Sequence, residues 1–117
     1  MINFFWYPRC GTCQKAKKWL EANNISYEAI DLKEQKPSRS QLEDWFNKSG
    51  LPLKKFFNTS GQVYKSLALK DKLPTMSQDE QLDLLASDGM LVKRPILISG
   101  DTVLVGFKET DWEEKLR

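Results

Sequence analysis

Tyr7-Pro8-Arg9-Cys10-Gly11-Thr12-Cys13 contains both cysteines of the chain and joins an apolar run, Ile2 to Trp6, to a helical pattern that opens near Thr12. Two residues three apart in a turn entering a helix can bring their Cα atoms within the ~4.4–6.8 Å that a disulfide requires. The pair can therefore close and open. At a strand-to-helix junction Cys10 meets unpaired backbone N–H groups and the positive end of the helix dipole, which favour thiolate over thiol. Cys13, about one turn further in, gains less. The spacing suggests an ordered pair, with Cys10 as nucleophile and Cys13 as resolving thiol. Arg9, beside Cys10, adds positive charge. The competing reading is two buried, inert cysteines that happen to be neighbours.

Other chemistries lack their residues. A structural zinc site usually takes four Cys or His ligands, whereas the chain has 2 Cys and 0 His, so no metal is expected. The absence of histidine also removes Ser-His and Cys-His triads, and with them the commonest general base near neutral pH. No resident cofactor is expected.

Working outward, Ile2 to Tyr7 is a nearly continuous apolar run, as in a strand covered on both faces, and Pro8 stops it. The following helix, about Thr12 to Ala22, has an inner stripe of Cys13, Ala16, Trp19 and Leu20, with Lys15, Lys17, Lys18 and Glu21 outside. Asn23-Asn24 ends it, and Ile25 to Leu32 supplies a second strand. Such a unit pairs its strands in parallel and right-handedly. The cysteines then lie at the carboxyl end of the first strand, where open α/β sheets present their sites.

From Lys33 to Val92 the pattern is helical. Ser38 with Gln41, and Ser77 with Glu80, form capping boxes. Between them Pro52 opens a short helix carrying Leu53, Phe56 and Phe57, and a helical stretch runs from Val63 to Leu69. Asp88-Gly89 stops the last of these helices. Pro95 to Ser99, Gly100-Asp101 and Thr102 to Val105 read as a hairpin with a Gly-first type II′ turn, and Glu109 to Leu116 is a closing helix. The order is β-α-β, helices, β-β-α. The whole, 1–117, is expected to form one domain with a helical insertion at about 33–92.

The 117 residues are 40% hydrophobic and 29% charged, ordinary for a globular protein. A net charge of +2 and a pI near 8.5 fall short of the clustered basic footprint of nucleic-acid binders. Apolar runs are far below the ~20 residues that cross a bilayer, and with no export signal visible ahead of the first strand none is expected. A cytoplasmic protein is expected, contacting neither nucleic acid nor membrane. In a reducing compartment Cys-x-x-Cys is more often catalytic or redox-sensing than structural.

Together, Trp-Tyr-Pro-Arg-Cys-Gly-Thr-Cys, Phe56-Phe57-Asn58-Thr59-Ser60-Gly61 and Leu91-Val92-Lys93-Arg94-Pro95 resemble the arsenate reductase (ArsC)/Spx family over essentially the whole chain. The resemblance implies an α/β, thioredoxin-like fold with a small mixed sheet. It implies that Cys10 is the family's nucleophile, that Pro95 is its cis-proline, and that Arg94 binds the substrate oxyanion. Arg9, Gly11, Thr12 and Pro95 are then supporting residues. Family arsenate reductases use two further arginines where this chain has Asn58 and Gly106, so arsenate reduction is expected to be poor. The Cys pair is closest to that of Spx and MgsR-type members. The implied electron donors are thioredoxin, glutaredoxin or a small thiol. The alternative is an Spx-like redox-switched regulator that binds RNA polymerase.

Overall fold

The computed structural model describes residues 1–116; the last residue of the expected single domain, Arg117, lies outside them. In chain order the elements are β1 (Ile2–Trp6), α1 (Gly11–Ala22), β2 (Glu28–Asp31), α2 (Arg39–Ser49), α3 (Gln62–Ser66), α4 (Leu69–Lys72), α5 (Gln78–Ser87), β3 (Ile96–Ser99), β4 (Thr102–Val105) and α6 (Glu109–Leu116), with short 3₁₀ turns at Leu53–Phe56, Leu73–Thr75 and Gly89–Leu91. The chain divides into two compact units, Met1–Asp31 together with the segment from Arg94 onward, and Leu32–Lys93.

The first unit is a four-stranded mixed sheet in the order β2-β1-β3-β4. β1 pairs in parallel with β2 and antiparallel with β3, which pairs antiparallel with β4. Neighbouring strand residues point to opposite faces, so burial of both Phe4 and Phe5, and of both Ile96 and Leu97, means that the central strands are covered on both sides. On one face Phe4, Ala16, Trp19, Leu20, Leu97, Leu104 and Trp112 form the core. Its aromatic rings meet mostly edge-on, including Phe4 with Tyr27 at 5.4 Å and Phe107 with Trp112 at 4.9 Å, the geometry that aligns ring edges with π-faces. The hairpin turns through Gly100 at φ +59, while Asp101 keeps negative φ, as a type II′ turn requires.

The buried stripe of α1 is Cys13, Ala16, Trp19 and Leu20, as the spacing predicts. Its end is a Schellman arrangement: Asn24 adopts φ +55, its N–H donates to the Glu21 carbonyl at 3.1 Å, and the Ile25 N–H donates to the Leu20 carbonyl at 3.0 Å. Because Ile25 belongs to this helix stop and packs on the core, β2 begins at Glu28 and is shorter than the run from Ile25 suggests.

In the second unit both capping boxes form, with Ser38 and Ser77 accepting from the N–H of Gln41 and Glu80. Arg39 ties α2 to Asp79 and Asp83 of α5. The single helix expected over Val63–Leu69 is instead two short ones, because Ala68 takes φ +53 between them. Gly89 does not close α5 in the left-handed region. It is required because a Cβ there would collide with the Leu32 carbonyl, while the Asp88 side chain accepts from the Met90 N–H at 2.8 Å. Among the described residues no helix is long and apolar enough to cross a membrane.

Candidate redox site

The site is built where β1 runs out. Pro8 cannot continue the ladder, and the residue before a proline is biased to extended backbone, so the chain turns at Tyr7-Pro8. The Cys10 N–H donates to the Tyr7 carbonyl at 2.9 Å, closing the turn, and the Gln14 N–H donates to the Cys10 carbonyl at 3.0 Å, opening the helix. Cys10 is therefore the N-cap of α1, with extended φ −89 and ψ 120 and no side-chain cap bond of its own. The Gln14 side chain donates to the Pro8 carbonyl at 2.7 Å and braces the same turn.

The two thiols, both free, differ in surroundings. Burial works against ionisation of Cys10, but a backbone hydrogen bond from Cys13, the Cys13 thiol and the positive charge and hydrogen bond of Arg94 outweigh it, so its pKa is lowered from the ordinary value of 9.0. Cys13 is completely buried on the inner stripe of α1. Burial, reinforced by the neighbouring Cys10 sulfur, pushes its thiol up to about 12, against smaller opposing contributions from a Tyr7 backbone hydrogen bond and from Arg94.

Arg94 comes from the far end of the sequence. Its peptide bond to Pro95 is cis, and the buried Pro95 accepts at its carbonyl from the Gly106 N–H at 2.7 Å. Gly106, at φ +77, in turn accepts at its carbonyl from the Trp112 indole at 3.1 Å. The start of β3 is thus tied through Gly106 to the core ring of α6. The Arg94 guanidinium carbon lies over the Tyr7 ring, 5.3 Å from its centroid.

The structure brings Cys10, Cys13, Arg94 and Pro95 to one corner of the first unit. Arg9, Gly11 and Thr12 are exposed, and the charge that favours the Cys10 thiolate comes from Arg94. Gly11 has open space where a Cβ would stand and no left-handed φ, so neither factor requires glycine there. Of the lysines on α1, Lys17 pairs with Glu21 at 2.8 Å. Tyr7 is the neighbour of Arg94 that sequence reasoning passed over; its aromatic ring directly before Pro8 was the available signal.

Asn58 and Gly106, the two positions where the resemblance leads one to expect arginines, both have local structural roles. Asn58 is buried: its N–H donates to the Leu91 carbonyl at 2.7 Å, and its side-chain oxygen accepts from the Ser60 hydroxyl at 3.3 Å. Gly106 occupies a left-handed conformation that disfavours other residues.

A mixed sheet with a Cys-x-x-Cys at a helix N-terminus and a cis-proline before an antiparallel strand defines a thioredoxin-like protein, and the fold is also similar to that of a glutaredoxin from Archaeoglobus fulgidus (TM-score 0.51, 13% identity, 99% of this chain and 85% of that one). The chain belongs to the ArsC family, whose model matches residues 5–115. It is 58% identical over 113 residues to protein YusI of Bacillus subtilis (strain 168), covering 97% of this chain and 96% of that one. The regulatory protein MgsR of the same organism is 29% identical over 91% of this chain and 82% of its own length. An arsenate reductase of Neisseria meningitidis is 31% identical over 90% and 89%. Among solved structures, an ArsC family related protein from Bacteroides fragilis superposes with a TM-score of 0.95 at 54% identity, over 97% of this chain and 95% of that one.

Proposed function

We propose that this chain is a cytoplasmic thiol-disulfide oxidoreductase in which Cys10 is the nucleophile, Cys13 the resolving thiol and Arg94 the substrate-side cation. The observation that carries the reading is the placement of the pair: Cys10 caps the N-terminus of α1, Cys13 is buried one turn further on, and Arg94 is held over Tyr7 at the same corner, in keeping with a lowered Cys10 and a raised Cys13. The Cys10 thiolate attacks one sulfur of an oxidised substrate, forming a mixed disulfide and releasing the other sulfur as a thiolate. Cys13 then gives up its proton and attacks the Cys10 sulfur, forming the Cys10–Cys13 disulfide and releasing the second substrate thiolate. Thioredoxin, glutaredoxin or a small thiol returns two electrons and two protons.

Arsenate is expected to be a poor substrate. Near neutral pH it carries two charges, and each charge-assisted hydrogen bond lost from an anion site is worth ~1.5–3 kcal/mol. Arg94 stands without cations at positions 58 and 106. Steady-state turnover of a small disulfide and of arsenate, each with a thioredoxin or glutaredoxin system, tests both statements. Disulfide turnover abolished in Cys10→Ser, with arsenate turnover near background, is expected; efficient arsenate reduction by the unmodified protein would overturn the second.

The similarity to the regulatory protein MgsR favours a second reading, a regulator, which under the Spx-like resemblance would bind RNA polymerase according to its disulfide state. Pull-down with Cys13→Ser, which traps partners at Cys10, separates the two. The enzyme predicts many partners released by reductant. The regulator predicts one stoichiometric partner, the polymerase, captured by the wild-type protein according to the state of the pair.

A further inference from the structure

We infer that Tyr7 is a positioning residue for Arg94: its ring holds the guanidinium beside the Cys10 sulfur, and through Arg94 it tunes how readily Cys10 reacts. This rests on Cys10 being the reactive thiol.

Three contacts converge on this one residue. Its ring lies under the Arg94 guanidinium at 5.3 Å, inside the ~6 Å within which a ring quadrupole attracts a cation. Its carbonyl accepts from the Cys10 N–H at 2.9 Å, and its backbone also hydrogen-bonds the Cys13 thiol. The turn that positions the nucleophile and the platform that carries the cation are therefore the same residue. Pro8 makes this placement reproducible, because it restricts the backbone of Tyr7 to extended conformations.

The physical need for such a platform lies in the arginine. A guanidinium on a long flexible stem loses conformational freedom each time it docks against a thiolate, and a flat guanidinium stacked in advance loses less. When Cys10 passes into a disulfide its negative charge disappears, and with it the attraction that draws Arg94 in. The attraction of the Tyr7 ring face does not depend on the charge of Cys10, so it keeps hold of Arg94 in either redox state.

The test reads the pH dependence of Cys10 alkylation in the Cys13→Ser background. In Tyr7→Leu the rate near pH 7 is expected to fall about two- to fivefold, the factor corresponding to an exposed cation–π contact, while Tyr7→Phe stays within about twofold of the parent, since its ring keeps a π-face. In an Arg94→Met background the Tyr7→Leu effect should vanish, which a merely structural role of the ring would not produce. Replacing Tyr7 by pentafluorophenylalanine keeps the shape but removes the negative ring face; it should behave like Tyr7→Leu, and it serves if Tyr7→Leu does not fold. A parental rate in the pentafluoro variant, or an undiminished Tyr7→Leu effect without Arg94, would overturn the inference. A parent protein whose Cys10 is no more reactive than an ordinary thiol would instead overturn the underlying assignment of Cys10.

Discussion

Selective alkylation of the two thiols puts the proposed division of labour to its most direct test. The perturbation is a limiting amount of iodoacetamide added to the reduced protein at pH 7. Cys13 is pushed up to about 12 and Cys10 lies below 9.0, so the gap is at least about three pKa units, and near neutral pH the thiolate populations differ by at least about 10³. Nucleophilicity acts the other way: with a Brønsted slope of ~0.4–0.5, the more basic thiolate is ~15–30-fold more reactive per molecule. Population wins. The expected preference for Cys10 is at least about 30-fold, before the complete burial of Cys13 slows it further. Peptide mapping by mass spectrometry reads the ratio directly in the wild-type protein. The wild type is the proper subject, because Cys10→Ser removes the sulfur that helps to raise Cys13 and so understates the difference. Equal labelling of the two residues, or faster labelling of Cys13, would refute the reasoning.

Two further outcomes follow from the same geometry. Gly106→Ala places a side chain at φ +77, which costs ~1–2 kcal/mol for an L-residue; a thermal midpoint lower by several degrees is expected, and an unchanged midpoint would contradict the reading of this glycine. Because the folded pKa of Cys13 is raised, its contribution to stability is complete below the unfolded value near 9.0 and is lost as pH rises toward about 12; denaturant titrations should show stability falling more steeply over that window in wild type than in Cys13→Ala, and parallel pH profiles would contradict it.

Much of this structure is legible in local sequence because its signals are local. Ser38 with Gln41 and Ser77 with Glu80 are three residues apart, and each pair forms its reciprocal bonds. The α1 stripe is likewise a matter of helical spacing, and the Gly100-Asp101 turn needs only one residue at positive φ. The misreadings have nonlocal causes. Nothing in Leu67-Ala68-Leu69 announces that an alanine, the best of helix formers, will take a left-handed conformation. Gly89 looks like a helix stop, yet glycine is required there by the Leu32 carbonyl, a neighbour distant in sequence. At the site the cysteine spacing was plain, but the platform that Tyr7 offers to Arg94 joins residues from opposite ends of the chain. No periodicity encodes that pairing.

Under the proposed cycle, the two causes that raise Cys13 act at different times. Burial is fixed by the α1 stripe and remains while α1 stays packed. The effect of Cys10 exists only while that sulfur can carry negative charge, and formation of the mixed disulfide removes it. Attack by Cys10 therefore makes Cys13 more acidic at the step that requires its proton to leave, and before that step Cys13 stays protonated and out of competition for substrate. Burial, the larger cause, still opposes ionisation, so the second step carries a deprotonation cost near neutral pH. An oxidoreductase meets that cost in every cycle, whereas a regulator meets it once per switching event. The same pair of thiols can thus serve either role, and how often Cys13 must ionise separates them.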